Sequence, residues 1–243
     1  MTIRISNLSK RYKKRINASK LAVEHLTLEI RDGEVFGFLG PNGAGKSTVI
    51  KILMNFIRPS TGTATIDGHA VSDPQVRRFI GYLPENPYFY DHLTAEEILT
   101  FGGRAAQMSD RDIQYRIDEL LERLKLSHAK KERLRSYSKG MVQRAGLGLA
   151  LIHKPKICIL DEPMSGLDPL GRRLVADLIE EMRLNGQTVF FSSHILSDIE
   201  RLCDRVGVLN SGRLLYCGEM DDFVPHPGGL EQAFIQLIEK DEV

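Results

Sequence analysis

Two stretches of the chain carry residue types whose spacing could do chemistry. Gly40-Pro41-Asn42-Gly43-Ala44-Gly45-Lys46-Ser47-Thr48 has the pattern GxxxxGK[ST]. In that pattern the glycines let backbone N–H groups turn inward around phosphate, the lysine reaches the β and γ phosphates of a nucleotide, and the first hydroxyl ligates Mg²⁺. Asn42, Gly43, Ala44, Gly45, Lys46, Ser47 and Thr48 are therefore the candidate phosphate-binding residues. Ile157-Cys158-Ile159-Leu160-Asp161-Glu162 is an apolar run ending in two carboxylates. Asp161 at the tip can hold Mg²⁺, directly or through water, and Glu162 can act as general base toward a hydrolytic water. A strand ending in Asp-Glu is common, and here it gains meaning from the phosphate loop in the same chain.

The elements that must position these groups follow from periodicity. Ile3 to Leu8, Leu21 to Ile30 and the apolar run Val35 to Leu39 read as strands, with a basic, turn-like segment from Lys10 to Lys20 between the first two. The glycine loop follows directly, and Val49, Ile50, Leu53 and Met54 then give a helical pattern that ends before Pro59. Strand, glycine loop, helix is the phosphate-binding unit of an α/β fold. From about Leu93 to His153 the pattern is helical almost throughout, with Thr94 placed to cap a helix whose first turn carries Glu96 and Glu97. Strand character returns at Ile157 to Leu160, Thr188 to Phe191 and Arg205 to Leu209, alternating with helical stretches at 169–184 and 195–202. Leu230, Phe234, Leu237 and Ile238 share one face of a last helix. The expected architecture is a single α/β domain over 1–243: a P-loop core lobe of about 1–86 and 155–243, antiparallel at its N-terminal edge, with a helical lobe inserted at about 87–154.

Composition narrows the function classes. The 243 residues are 42% hydrophobic and 27% charged, an ordinary globular balance, and 33 Lys and Arg against 32 Asp and Glu leave a formal charge of +1. No strong polyanion-binding face stands out, so nucleic acid is not an expected partner. No apolar run approaches the length of a membrane span, and Met1-Thr2-Ile3-Arg4 leads into polar residues rather than a signal-peptide core. Cys158, Cys203 and Cys217 are odd in number and widely spaced, which suits a reducing cytoplasm better than a disulfide framework or a zinc site.

Taken in order along the chain, the motifs resemble those of the nucleotide-binding subunits of ATP-binding-cassette transporters, over nearly its whole length. Tyr12 matches the aromatic that stacks on adenine, 40–48 the Walker A loop, and Gly81-Tyr82-Leu83-Pro84-Glu85 the Q-loop region. Tyr137-Ser138-Lys139-Gly140-Met141 matches the signature, 157–162 Walker B, Ser165-Gly166-Leu167-Asp168 the D-loop, and His194 the switch histidine. The resemblance implies that two such subunits sandwich two ATP molecules, each site using the P-loop of one chain and the signature of the other. Ser138 and Gly140 would then give a hydroxyl and a backbone N–H to the γ-phosphate across the dimer, at the positive end of a helix beginning near Met141. It implies that His194 contacts the γ-phosphate, that Asp168 couples the two sites, and that Glu85 joins Ser47 and Asp161 at Mg²⁺.

The departures from the family pattern are also informative. The usual signature is LSGGQ; here Tyr137, Lys139 and Met141 replace Leu, the first Gly and Gln, while Ser138 and Gly140 remain. Glu85 stands where glutamine is more common. These variants resemble the exporter branch that pairs with a separately encoded membrane subunit. The implied partners are thus an integral membrane permease and a second ATP-binding subunit, the same chain or a related one, with the protein peripheral on the cytoplasmic face of the membrane. Tyr88, Phe89 or Tyr90, crowded beside two prolines, is expected to line the groove that receives the permease, the alternative being packing against the chain's own helical lobe, and Lys130, Lys131, Arg133 and Arg135 are expected to form a solvated surface. No appended C-terminal domain is expected. Two other readings are weighed: a soluble cassette ATPase of translation or DNA maintenance, which usually carries two cassettes or coiled-coil or zinc insertions, and a P-loop kinase or nucleotide switch, which lacks this series of motifs.

Overall fold

The computed structural model describes residues 1–13, 19–224 and 229–242. In chain order the first elements are β1 (Ile3–Lys13), β2 (Ser19–Ile30), β3 (Val35–Leu39), α1 (Lys46–Leu53), β4 (Thr61–Ile66), β5 (His69–Ala70) and β6 (Ile80–Leu83). Then come α2 (Ala95–Ala105), α3 (Asp110–Arg123), α4 (Lys139–Leu151), β7 (Ile157–Asp161) and α5 (Pro169–Leu184). The chain finishes with β8 (Thr188–Ser193), α6 (Leu196–Leu202), β9 (Arg205–Asn210), β10 (Arg213–Glu219), α7 (Met220–Phe223) and α8 (Gly229–Glu242). It divides into two compact units, Met1–Arg77 with Ile179–Val243, and Arg78–Leu178.

The first unit holds an antiparallel sheet in the order β2-β1-β4-β5 and a second group of strands in the order β10-β9-β3-β8. In the second group β3 runs parallel to both β8 and β9, and β10 closes the edge antiparallel to β9. Every residue of β3, β8 and β9 is buried. Strands covered on both faces lose the in–out alternation and read as continuous apolar runs, which is why Val35–Leu39 is so plain in the sequence. Phe36 and Phe38 pack on Phe190 with ring centroids 6.1 and 5.4 Å apart.

The second unit pairs β6 with β7 in parallel, from Ile80↔Ile157 to Leu83↔Leu160, and sets α4 against β6. Thr94 caps α2 as its sequence foretells: its hydroxyl accepts from the Glu97 N–H at 3.2 Å while the Glu97 carboxylate accepts from the Thr94 N–H at 2.7 Å. Buried Arg116 on α3 donates to the Leu151 and Ile152 carbonyls at 3.0 and 3.4 Å, satisfying the end of α4.

Two features differ from the sequence-based expectation. Lys10–Lys13 are not a turn but the end of β1, paired with β2 down to Lys13↔Ser19; residues 14–18 of that basic segment lie outside the described residues. Lys130 is a brace rather than part of a solvated run, because its ammonium pairs with Glu96 at 3.0 Å and Asp118 at 2.8 Å.

Candidate functional site

The phosphate loop joins β3 to α1 within the first unit. Lys46 is buried, and its Nζ donates to Gly40 O at 2.6 Å and reaches Pro41 O at 3.4 Å, bridging the two arms of the loop. The Ala44 N–H closes a tight turn on Pro41 O at 3.1 Å. Gly45, at φ +114°, precedes the first residue of α1 and brings no side chain to cap it, so the start of the helix presents its N–H groups toward the loop. The loop is braced from behind: a Cβ on Gly45 would stand 2.4 Å from Ala22 O in β2, and the Gly212 N–H donates to Ala44 O at 2.8 Å. Asn42 and Gly43 are exposed at the tip, with Ser47 and Thr48 half-buried in the first turn of α1. These donors, with one ammonium and two hydroxyls, suit a polyphosphate.

Two more expected residues belong to this unit. The β3–β8 register pairs Leu39 with Ser193, so Gly40 and His194 leave neighbouring parallel strands at the same end, and His194 is exposed there. The Ser193 hydroxyl accepts from the Ile195 N–H at 3.0 Å and shapes the turn that carries the histidine. Tyr12 lies in β1 opposite Lys20, with its ring partly open and the Lys10 ammonium 5.2 Å from the ring centre.

The carboxylates belong to the second unit. Its register pairs Leu83 with Leu160, so Glu85 follows one strand and Asp161-Glu162 closes the other at the same end. Asp161 and Glu162 are buried, at 4% and 7% exposure, whereas Glu85 is exposed. Glu162 has φ +51°, a left-handed conformation that a glutamate adopts only when its surroundings hold it there. Burial, followed by the Asp161 charge, pushes the Tyr82 phenol up to about 12, so the ring beside this acidic end stays neutral at physiological pH. Among the described residues no cluster of three or more His, Cys, Asp or Glu could hold a metal ion. The oxygen donors Ser47, Asp161 and Glu85 are nonetheless of the hard type that suits Mg²⁺, an ion that keeps several waters and draws ligands from substrate phosphates.

The signature residues sit at the head of α4, which begins at Lys139, two residues before the expected Met141. Ser138 is its N-cap: the Oγ accepts from the Met141 N–H at 3.2 Å, leaving the hydroxyl proton to donate elsewhere. Gln143, which the sequence reading did not single out, is 2% exposed and donates to the Glu162 and Pro163 carbonyls, both at 3.4 Å. It ties the signature helix to the turn that carries the candidate base. The signal in the sequence is an amide among the buried residues of the helix, all the others of which are apolar or glycine. Lys139 lies across the D-loop, where a Cβ on Gly166 would stand 2.8 Å from its Cε. Asp168 Oδ1 accepts from the Gly171 N–H at 2.8 Å as the chain enters α5. In the same unit Tyr88 and Tyr90 are 89% and 71% exposed, and Phe89 is half-buried.

Comparison with known proteins places this geometry in context. The ABC transporter family model matches residues 23–165. An uncharacterised ABC transporter ATP-binding protein of Synechocystis sp. is 45% identical over 89% of this chain, which spans 62% of that relative's own length, less than two thirds. The bacitracin transport ATP-binding protein BcrA of Bacillus licheniformis is 40% identical over 88% of this chain and 68% of its own. A solved ATP-binding subunit of an ABC transporter superposes with a TM-score of 0.89 at 30% identity, covering 98% of this chain and 100% of that one. A dimeric ATP-binding cassette in a post-hydrolysis state with ADP and Pi matches with a TM-score of 0.82 at 26% identity, over 90% of this chain and 98% of that one. The fold is that of these ATPase subunits.

Proposed function

The chain belongs to the ABC transporter ATP-binding proteins, and from that premise we propose that it binds and hydrolyses MgATP as a dimeric subunit that drives export through a separate membrane permease. The observation that carries the reading is the head of α4, where the Ser138 cap and Gly140 are tethered by Gln143 to the Glu162 turn, in a chain that also has the β3–α1 phosphate loop. A P-loop alone serves kinases and switches equally well; a signature helix bound to the Walker B turn suits a cassette.

In this reading Lys46 and the N–H groups of 42–48 hold the β and γ phosphates, and Tyr12 stacks on the adenine. Ser47, Asp161 and Glu85 would hold Mg²⁺, which when bound neutralises charge between the β and γ phosphates. Glu162 accepts a proton from the attacking water, and His194 holds the γ-phosphate in line. Ser138 and Gly140 serve the nucleotide held by a second copy, and Asp168 links the two sites. Among the described residues no helix is long and apolar enough to cross a membrane, which agrees with a substrate path carried by the permease. The exposed Tyr88 and Tyr90 support a docking role for that loop, and the protein would then lie on the cytoplasmic face of the membrane. The bacitracin transport role in the name of the Bacillus licheniformis relative supports transport rather than translation or DNA maintenance.

The test is Glu162→Gln. The variant is expected to keep ATP affinity, lose turnover by about a hundredfold or more, and accumulate as an ATP-dependent dimer in light scattering. Turnover at the wild-type rate would remove Glu162 as the base. Purification of the tagged chain from its native membranes tests the partner: a stoichiometric membrane protein supports the transporter reading, and recovery with only soluble proteins or ribosomes contradicts it.

A further inference from the structure

The tip of the β9–β10 hairpin is built into the back of the phosphate loop. It turns through Ser211 and Gly212, at φ +46° and +86°, the two-residue geometry whose twist suits a hairpin. The Gly212 carbonyl accepts from the Glu24 N–H of β2 at 2.8 Å while its N–H donates to Ala44 O at 2.8 Å. A Cβ on Gly40 would stand 2.2 Å from Leu209 O, so the start of the loop also lies hard against the end of β9. In a trans peptide the C=O and the following N–H point to opposite sides. Holding the Ala44 carbonyl toward the hairpin therefore turns the Gly45 N–H away from it, and that N–H is among the donors available to a phosphate.

The far end of α8 grips the same hairpin. Asp241 Oδ2 accepts from Asn210 Nδ2 at 2.9 Å, and Oδ1 accepts from Arg213 at 2.6 Å. Asn210 and Arg213 are the residues that bracket the turn. The Asp241 side chain is 13% exposed against 51% for Arg213, and Asn210 is buried. Solvent thus screens the Arg213 branch more, and the Asn210 branch is the firmer hold.

We propose that Asp241 is a positioning residue for the phosphate loop, setting the orientation of the Ala44–Gly45 peptide through the Asn210–Arg213 hairpin. The proposal rests on the nucleotide-binding reading of that loop. It gives the last helix a share in nucleotide affinity through the hairpin alone.

The experiment titrates ADP with Mg²⁺ into the full chain and follows amide hydrogen exchange at Gly212. Asp241→Ala is expected to raise the Kd about three- to tenfold and to speed Gly212 exchange by a similar factor, the effect of losing one or two hydrogen bonds. Asp241→Asn, which keeps an acceptor for Asn210 but loses the charge facing Arg213, should fall between Asp241→Ala and wild type. A merely structural loss would lower the melting temperature without that ordered change in affinity. Unchanged Kd and unchanged Gly212 exchange in Asp241→Ala overturn the proposal. If Asp241→Ala does not fold, Asp241→Asn decides: a raised Kd together with faster Gly212 exchange supports the proposal, and a wild-type Kd overturns it. A wild-type chain that binds no nucleotide overturns the nucleotide reading and this inference with it, whereas binding by wild type and Asp241→Ala alike overturns the inference alone.

Discussion

Gly43 and Gly45 stand two positions apart in the phosphate loop, both with positive φ, and differ in what an added methyl group would meet. At Gly43, φ +81°, no heavy atom lies within 4 Å of a built Cβ. At Gly45, φ +114°, the Cβ would stand 2.4 Å from the Ala22 carbonyl oxygen and 3.2 Å from Leu209 Cδ2. Alanine at either position bears the left-handed backbone penalty, about 1–2 kcal/mol. At Gly45 the neighbour in closest contact is backbone of β2, which cannot rotate aside, and forcing it back by several tenths of an ångström adds about 1–3 kcal/mol. Gly43→Ala should therefore destabilise the nucleotide-free protein by about 1–2 kcal/mol and Gly45→Ala by about 2–5 kcal/mol. Urea unfolding followed by circular dichroism reads the difference as a shift in midpoint at constant slope. Equal midpoints for the two variants, or Gly43→Ala the weaker of the two, would refute the claim that close approach to β2, rather than backbone conformation alone, requires glycine at 45.

The remaining predictions concern the second unit. Burial holds the His153 imidazole below its ordinary value of 6.5, while its Nε2 bonds Ile80 O at 3.1 Å. The unfolded chain therefore binds a proton at this residue, as pH falls through 6.5, before the folded chain does, and the stability it contributes is lost between that pH and the depressed folded value. The difference in stability between wild type and His153→Gln should shrink as pH falls through that window, and a pH-independent difference in urea midpoints would contradict it. Alanine at Tyr88, Phe89 and Tyr90 together should leave the melting temperature nearly unchanged, because two of the three rings are largely exposed, while reducing transport and the response of ATPase activity to the permease. Unaltered coupling would remove this loop from the docking surface.

Much of the site was legible in the sequence because its signals are local. The GxxxxGK[ST] spacing, the apolar run Val35–Leu39 and the Thr94–Glu97 capping box each lie within a few residues, and backbone geometry converts each directly into a turn, a buried strand or a helix start. The two stretches Val35–Leu39 and Pro169–Leu184 appear in the structure with the expected bounds. The place of His194 just past a strand was legible too, whereas the strand Ile80–Leu83 that precedes Glu85 was not read from the sequence.

What local pattern could not supply is pairing between distant residues. Thr61–Ile66 alternates threonine with Gly62, Ala64 and Ile66 but carries little apolar bulk, His69–Ala70 is two residues long, and Arg213–Glu219 is a half-exposed edge strand, so partners rather than their own hydrophobicity hold them. The basic residues Lys10 to Lys13 read as a turn by composition, yet β2 supplies the hydrogen bonds that keep them extended. The left-handed glutamate at 162, the Gln143 tether and the hold of Asp241 on the hairpin behind Ala44 were all decided by tertiary packing. The sequence alone determined which atoms could meet phosphate, metal and water, because those depend on residue type and short spacing. The tertiary structure alone decided what holds them in place, because hydrogen bonds between residues far apart in the chain form only where packing brings them within reach.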